Sequence, residues 1–352
     1  MPSPVLRGAL SGLAAAALFG LSAPLAKPLL QSTGALMLSA LLYLGGGLAL
    51  ALASLFRRTS TEAPLRRRDA PLLGVVILAG GVVGPLLMLL ALQRASAAAV
   101  SLLLNLEGPF TLGLAALAFG EHVGWRGLAS LAAVVTGAVL LGLPGEAVHL
   151  GPWAGAAAAG ACLAWGLDNN VTRVLSARDP VALVRIKTLG AGSCSLVLAL
   201  LAGQPLPAGR VVLAALALGA ASYGTSILLD AYALRLLGAA REAAYFATAP
   251  FLGALGAVVL LGEPFPPVLL AAGGCMAVGV WLLIRERHRH VHSHGELVHE
   301  HAHVHDAHHQ HTHPGPVTEP HSHPHRHAPL VHDHPHVPDL HHHHHHHHHH
   351  RH

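Results

Sequence analysis

The chain contains 352 residues, of which 53% are hydrophobic and only 11% are charged. Soluble domains carry about 25% charged residues, so this composition excludes a chain built of soluble domains. Between short clusters of charge run continuous apolar stretches of roughly 20 residues, the length that crosses a bilayer as a helix. Because polar and apolar residues do not alternate within these stretches, a transmembrane β-barrel is excluded as well. The sequence therefore predicts an all-α integral membrane protein.

Taken in chain order, the apolar stretches predict ten transmembrane helices, which we call spans 1 to 10. The connections between several of them are only a few residues long, so neighbouring spans must run antiparallel. Their expected ranges are 8–30, 34–56, 71–92, 95–119, 124–143, 152–174, 181–202, 210–234, 239–261 and 266–284.

The lysine and arginine residues predict the orientation. With the N-terminus in the cytoplasm, 16 of them fall on the inner side, Lys187 among them, and only Lys27, Arg94 and Arg210 fall on the outer side. Cytoplasmic loops are enriched in these residues. We therefore expect a multi-pass protein of the inner (plasma) membrane with both termini in the cytoplasm. This distribution accounts for the net charge of +4 without a nucleic-acid partner.

The two halves of the apolar region share short motifs at an offset of 141 residues, which becomes 142 after one gap. Each half contains five spans, and this odd number requires the second copy to be inverted in the membrane. Inverted repeats are the usual construction of secondary transporters. The alternative is that helices rich in Ala, Leu and Gly resemble one another by composition. The matching residues are Arg94 with Arg235, Pro109-Phe110 with Pro250-Phe251, and Gly120-Glu121 with Gly262-Glu263.

The chain has ten short predicted helices, and the fourth span of each half contains a proline and ends on Gly-Glu. In these features it resembles the EamA-type members of the drug/metabolite transporter superfamily over about residues 8–284. The resemblance implies two inverted five-helix repeats, 1–143 and 144–287, around a central cavity. It also implies export or exchange of small polar or amphipathic metabolites, and no particular substrate. Residues 288–352 lie outside it.

Glu107 is the most informative charged residue within a span. Pro109 lacks an N–H and clashes with the carbonyl of Asn105, four residues earlier. Broken backbone at this depth is tolerated where it lines a cavity. We therefore expect Glu107 and Asn105 to contact substrate, with the carboxylate binding a cationic group or carrying a proton. The alternative is a structural ion pair of Glu107 with Arg94 or with another helix.

Two further polar clusters are candidates for substrate binding. Asp168 and Asn169 lie in span 6, where neighbouring polar side chains point in different directions and at least one should face the interior. Tyr223 and Asp230 lie seven residues apart in span 8, on one face of a regular helix. The alternatives are a helix end in the headgroup region for the first pair and an interfacial belt for the second.

Four residues are expected to act structurally. Pro109 and Pro250 break the fourth span of each half, and Glu121 and Glu263 precede a helix whose positive N-terminal dipole they complement.

The spans contain no set of metal ligands at a suitable spacing and no Walker-type loop. We therefore expect a protein that is not an enzyme and requires no cofactor, with transport driven by a proton gradient or by the substrate's own gradient.

Residues 288–352 form a low-complexity tail with thirty of the 32 histidines. We expect it to be disordered and cytoplasmic. In an extended chain, residues two apart project to the same side, and imidazole pairs chelate Zn, Ni, Co or Cu. The alternatives are a purification tag at 341–350 and a solubilising tail that gains charge at low pH. The expected metal ligands are His288, His290, His292, His294, His299, His301, His303, His305, His321, His323, His325, His327, His332, His334 and His336.

These features favour a secondary transporter in the lipid bilayer that exports or exchanges a small amino-acid-like or amphipathic metabolite. One alternative is a carrier for divalent Zn, Ni or Co ions gathered by the tail, although the spans lack clustered ligands for them. Another is a membrane-anchored metal buffer or sensor that transports nothing. The sequence contains no signal for an oligomeric state.

Overall fold

The computed structural model describes residues 4–56, 64–119, 123–143, 150–175, 178–237 and 239–285, and four short segments of the tail. From residue 4 to residue 285 the described chain is a bundle of helices. Three spans of the first half and two of the second half are assembled from several helical segments, and each of the remaining spans is one helix.

In the first half, span 1 consists of α1 (Pro4–Gly20) and α2 (Ser22–Leu29), and span 2 is α3 (Ala35–Leu55). Span 3 consists of a 3₁₀ turn (Arg67–Asp69), α4 (Ala70–Val75), a π-helix (Val76–Val83) and α5 (Gly84–Arg94). Span 4 consists of α6 (Ala97–Leu103), a 3₁₀ turn (Leu104–Leu106) and α7 (Glu107–Phe119), and span 5 is α8 (Trp125–Gly142). In the second half, span 6 is α9 (Pro152–Val174) and span 7 is α10 (Pro180–Leu201). Span 8 consists of α11 (Gly209–Gly219), a π-helix (Ala220–Thr225) and α12 (Ser226–Leu237). Span 9 consists of α13 (Ala239–Phe246) and α14 (Ala249–Leu261), and span 10 is α15 (Pro267–Ile284).

All ten predicted spans are helical, as the sequence analysis expects. Within the described residues, nine are long and apolar enough to cross a membrane. Span 6 is less apolar because it carries Asp168, Asn169 and Asn170, but its 23 residues reach about 35 Å at 1.5 Å per residue. Exposed leucines and valines such as Leu52, Val139 and Leu270 face outward, where a bilayer would surround them.

The antiparallel order gives the bundle two ends, which we name by one residue each. The Lys27 end holds the connections after spans 1, 3, 5, 7 and 9. The Arg285 end holds the other connections and the end of span 10. The two halves therefore run in opposite directions through the membrane, as an inverted repeat requires.

Small residues allow equivalent helices of the two halves to approach closely. A Cβ added at Gly137 of span 5 would lie 2.7 Å from Met276 of span 10, and one added at Gly279 of span 10 would lie 2.6 Å from Val134 of span 5. These reciprocal contacts relate the last spans of the two halves by an approximate two-fold axis. Close backbone approach through glycine is the usual way in which helices pack within lipid.

Equivalent spans are also interrupted at equivalent depths. Spans 3 and 8 each contain a π-helix, and span 4 is interrupted just before Pro109, as span 9 is before Pro250. Proline removes a backbone donor and crowds the preceding turn, so a break at this position follows from the sequence. Nothing in the residue pattern announces the π-helices, and the sequence analysis does not predict them.

Four short segments of the tail are described, and all four are extended. These are the strands β1 (Val291–His294), β2 (Leu297–His303), β3 (His321–His327) and β4 (Leu330–Asp333). β1 pairs with β4 and β2 with β3, both antiparallel. Alternation of histidine with other residues has a period of two, which is also the period of a strand, and this explains why extended pairing suits the segments.

Candidate functional site

A cavity of about 180 Å³ lies between the two halves of the bundle. Spans 1, 2, 4, 6, 7, 8 and 9 contribute to its wall, so it is formed by both repeats together. Its polar lining consists of Glu107, Asp168, Asn169, Lys187 and Thr188. Its aromatic lining consists of Phe19, Tyr43, Trp165, Tyr223 and Phe246.

An ion pair in the cavity joins spans 6 and 7. The Nζ atom of Lys187 forms an ion pair with Oδ2 of Asp168, and the side chains are 17% and 5% exposed. Thr172 Oγ1 donates a further hydrogen bond to Oδ1 of Asp168 at 3.3 Å. The acid is therefore held by a cation and by a hydroxyl from its own helix, one turn away.

Glu107 lies in the same cavity and belongs to a hydrogen-bond network between spans 4 and 6. Asn169 Nδ2 donates to Oε1 of Glu107 at 2.7 Å and to Oγ1 of Thr111 at 3.3 Å. Asn170 Nδ2 donates to the carbonyls of Thr111 and Gly166 at 2.9 and 2.8 Å. This network holds the Glu107 carboxylate of the interrupted span 4 in a fixed position against span 6.

Arg94, the alternative partner that the sequence analysis considers for Glu107, occupies another part of the structure. Its guanidinium lies 4.5 Å from the centre of the Trp153 ring. The acidic partner of the cavity cation is Asp168, and Glu107 is held by an amide. The site thus combines two carboxylates with one lysine.

The aromatic side chains form one continuous wall. Tyr43 stacks on Tyr223 with ring centroids 5.1 Å apart, and Phe19 meets Tyr223 edge to face at 5.9 Å. Phe19 also contacts Phe246 at 5.3 Å. Such ring pairs give a rigid apolar surface with defined orientation.

The π-helix of span 3 positions two of these rings. The hydroxyl of Tyr43 and the indole N–H of Trp165 both donate to the carbonyl of Gly80, each at 3.0 Å. A side chain at Gly80 would collide with Asp168. Because a π-helix disturbs the normal pattern of backbone bonding, its carbonyls are available to side chains, and this segment lies directly behind the cavity.

The structure brings together only some of the predicted substrate-binding residues. Glu107, Asp168, Asn169 and Tyr223 line the cavity. Asn105 is buried, and its amide donates to the carbonyl of Leu102 at 2.8 Å.

Asp230 is separated from Tyr223, although both lie in span 8. Its side chain lies beside that of Glu242 in span 9. Residues seven positions apart lie on the same face only in a regular α-helix. Tyr223 lies in the π-helix (Ala220–Thr225), so this spacing does not hold for Tyr223 and Asp230.

Lys187 is a member of the site that sequence reasoning missed. It stands among the basic residues that flank spans at the Arg285 end, and the sequence analysis counts it with them. In the structure it lies seven residues after Pro180, the first residue of α10, so it is two turns inside the helix. Asp179 caps this helix by accepting hydrogen bonds from Val181 N and Ala182 N. Counting helical turns from that cap would have placed Lys187 at the depth of the cavity.

Glu263 caps a helix of the opposite half. The sequence analysis expects it to face the helix that follows, span 10, but its carboxylate accepts from the backbone N–H groups of Ala97 and Ala98 at the start of span 4, at 2.8 and 2.9 Å. Lys27 Nζ lies 3.0 Å from the same group. Its sequence counterpart, Glu121, lies outside the described residues.

Among the described residues, no group of three or more His, Cys, Asp or Glu could hold a metal ion. The side chains of the predicted histidine ligands in the tail lie outside the part of the chain that the structure describes.

Ten antiparallel helices in two inverted halves, with a polar cavity between them, define a multi-pass membrane transporter fold. The model of the EamA-like transporter family matches residues 6–143 and 152–285, one match in each half. The chain therefore belongs to the EamA-like transporter family.

The chain is also similar to individual proteins. One is an uncharacterized transporter of Methanothermobacter thermautotrophicus (strain Delta H), 29% identical over 296 residues, which cover 79% of this chain and 86% of that protein. Another is a crystal structure described only as that of a protein. Its TM-score is 0.58 at 21% identity, over 79% of this chain and 98% of that one, and it supports the fold alone.

Proposed function

We propose that this protein is a secondary transporter that exports or exchanges a small metabolite of amino-acid-like or amphipathic character across the inner membrane. The observation that carries the proposal is the cavity shared by both repeats, where Lys187 and Asp168 adjoin a wall of stacked rings. Inverted repeats that meet at a polar site in the middle of the membrane are typical of alternating access.

The charges favour a substrate that bears both a cationic and an anionic group. Lys187 can bind a carboxylate, and Asp168 and Glu107 can bind an ammonium group or a proton. The cavity of about 180 Å³ limits the ligand to a small molecule. The rings of Tyr43 and Tyr223 provide an apolar surface for the rest of it.

The basic residues support a cytoplasmic location for the Arg285 end, since that end carries most of the lysine and arginine. The cavity extends toward this end, because Lys187 is near the start of α10 and Phe246 is the last residue of α13. We infer a conformation that loads its substrate from the cytoplasm, as an exporter does.

Replacing Glu107 by glutamine tests the role of its carboxylate. The amide keeps the shape and can still bond to Asn169, but it carries neither charge nor a titratable proton. We expect flux of the substrate into inverted membrane vesicles to fall by about 10- to 100-fold, as loss of a charge-assisted contact implies. The measurement is uptake of labelled amino acids and related amphipathic compounds.

Glu242→Gln is the matched control for Glu107→Gln, because it is the same change in a carboxyl group that does not line the cavity. Flux through the Glu107→Gln protein equal to that of the unmodified protein would remove Glu107 from the mechanism. A purified protein that moves no compound of the panel in liposomes would contradict the transporter itself.

We also propose that the histidine tail binds Zn, Ni, Co or Cu as a labile acceptor. The pairing of β2 with β3 supports this, since its register places His299 opposite His325, His301 opposite His323 and His303 opposite His321. Residues directly opposite one another in an antiparallel pair lie about 5 Å apart.

Deletion of residues 288–352 separates the tail from the transporter. We expect the shortened protein to lose most of its Zn²⁺ and Ni²⁺ binding in calorimetry and to keep metabolite flux. If cells that carry the shortened protein lose metal tolerance, and the full chain transports metal, the result would instead favour metal efflux. Unchanged metal binding after deletion would contradict the role of the tail.

A further inference from the structure

A group of polar contacts closes the Lys27 end of the bundle. It consists of Lys27, the carboxylate of Glu263, the carbonyl of Ala95 and the first backbone N–H groups of α6, and we call it the Lys27–Glu263 clamp. Lys27 Nζ donates to Ala95 O at 2.7 Å and to Glu263 Oε1 at 3.0 Å. Glu263 also accepts from Ala97 N and Ala98 N.

The clamp joins three elements that are distant in sequence. Lys27 ends span 1, Ala95 and Ala97 surround the turn between spans 3 and 4, and Glu263 lies between spans 9 and 10. Spans 4 and 9 belong to opposite repeats, so the clamp ties one repeat to the other.

Close packing below the clamp reinforces this closure. A Cβ added at Gly253 of span 9 would lie 2.9 Å from the Oγ atom of Ser101 in span 4, so these two spans touch between the clamp and the cavity. The cavity lies on the other side of this contact, toward the Arg285 end. A ligand in the cavity therefore has no path between spans 4 and 9 to the Lys27 end while these contacts persist.

The electrostatics keep the clamp ionised. Burial by itself raises the pKa of the Glu263 carboxyl, but the N–H donors of Ala98 and Ala97 and the ammonium of Lys27 more than offset this, and its pKa lies below the ordinary value of 4.5. The first N–H groups of a helix carry partial positive charge. The carboxylate thus satisfies donors that have no partner within their own helix.

In alternating access the two inverted repeats exchange conformations, so the contacts that close one end of the bundle in one state must open in the other state.

We propose that the Lys27–Glu263 clamp is the latch of the outer gate. This inference rests on the proposed transport function. It assigns Lys27 and Glu263 as positioning residues that set the balance between the two states without touching the substrate.

Accessibility of a single cysteine tests the latch independently of any substrate. In a chain whose Cys162, Cys194 and Cys275 are replaced by alanine, Ser101→Cys reports on the contact below the clamp, since Ser101 is 1% exposed. A membrane-impermeant maleimide is added from the Lys27 side, and the labelling rate is measured.

Loss of the latch should raise the labelling rate. We expect Lys27→Gln and Glu263→Gln each to increase it by about 5- to 30-fold, the population change that loss of a stabilising contact of this size produces. Lys27→Gln leaves the capping bonds of Glu263 in place, so it remains informative if Glu263→Gln folds poorly.

Arg210→Gln is the matched control, because it removes another cation near the Lys27 end, one outside the clamp. Unchanged labelling in both Lys27→Gln and Glu263→Gln would overturn the latch. If labelling changes as expected while no compound is transported, the latch stands and the proposed transport function fails. If transport is present and labelling is unaffected, only the latch fails.

The lowered pKa of Glu263 also predicts how the latch responds to pH. A carboxyl whose pKa is depressed in the closed state contributes its stabilisation above the ordinary value of 4.5 and loses it as the pH falls through the depressed value. The labelling rate of Ser101→Cys should therefore be flat between about pH 6 and 8 and rise only in stronger acid. A rise within the neutral range would contradict the assignment of Glu263.

Discussion

Asp168→Ala is expected to abolish transport and to destabilise the protein by about 3 kcal/mol. The change leaves the ammonium of Lys187, whose side chain is 17% exposed, without its acidic partner inside the bundle. Removing one member of a buried ion pair typically costs about 3 to 5 kcal/mol, and the partial exposure of Lys187 places this case at the low end. Unfolding of the purified protein in detergent measures the stability, and vesicle uptake measures the flux.

The double variant Asp168→Ala/Lys187→Met separates the two effects. Since an ion pair can be replaced by apolar groups at little cost, we expect most of the stability to return while transport remains absent. Asp179→Ala provides a comparison, because this carboxylate caps α10 from outside the cavity. Full flux in the Asp168→Ala protein would show that the ion pair is not part of the binding site.

Gly20→Ala and Gly219→Ala are expected to destabilise the bundle strongly. A Cβ at Gly20 would collide with the backbone carbonyl of Ala249, and one at Gly219 with that of Leu42. Backbone atoms cannot turn away as a side-chain end can, so the helices must separate. Overpacking of this kind typically costs about 1 to 3 kcal/mol, and we expect a fall of several degrees in the unfolding temperature.

Gly274→Ala in span 10 is the control for these two changes. A Cβ at Gly274 has no atom within 4 Å, so the substitution should be neutral or stabilise the helix by up to about 1 kcal/mol. Equal behaviour of Gly20→Ala and Gly274→Ala would contradict the close approach of span 1 to span 9.

The fold could be predicted from sequence because its signals are local. Apolar runs give the spans, and Pro109 and Pro250 mark the interrupted ones. Glu107 could be found in the same way, since a carboxylate beside a broken helix within lipid requires a functional or structural reason.

The rest of the site depends on contacts between distant residues. Glu263 lies 166 positions from Ala97, and no local pattern shows that a carboxylate after span 9 caps span 4. Lys187 resembles the loop cations around it until its helix is seen to begin at Pro180. The π-helix that carries Gly80 has no residue signature, so the contact of Tyr43 and Trp165 with its carbonyl could not be anticipated.

The shared carbonyl of Gly80 has a consequence for selectivity. Because Tyr43 and Trp165 already donate their polar hydrogens to it, neither residue can donate a hydrogen bond to a molecule in the cavity. The two rings therefore make contacts that do not depend on hydrogen-bond donors of their own. Selection between ligands then depends mainly on the charged residues Glu107, Asp168 and Lys187 of the same cavity. For the transporter that we propose, this arrangement suits related compounds that differ in their apolar portion and share the same charged group.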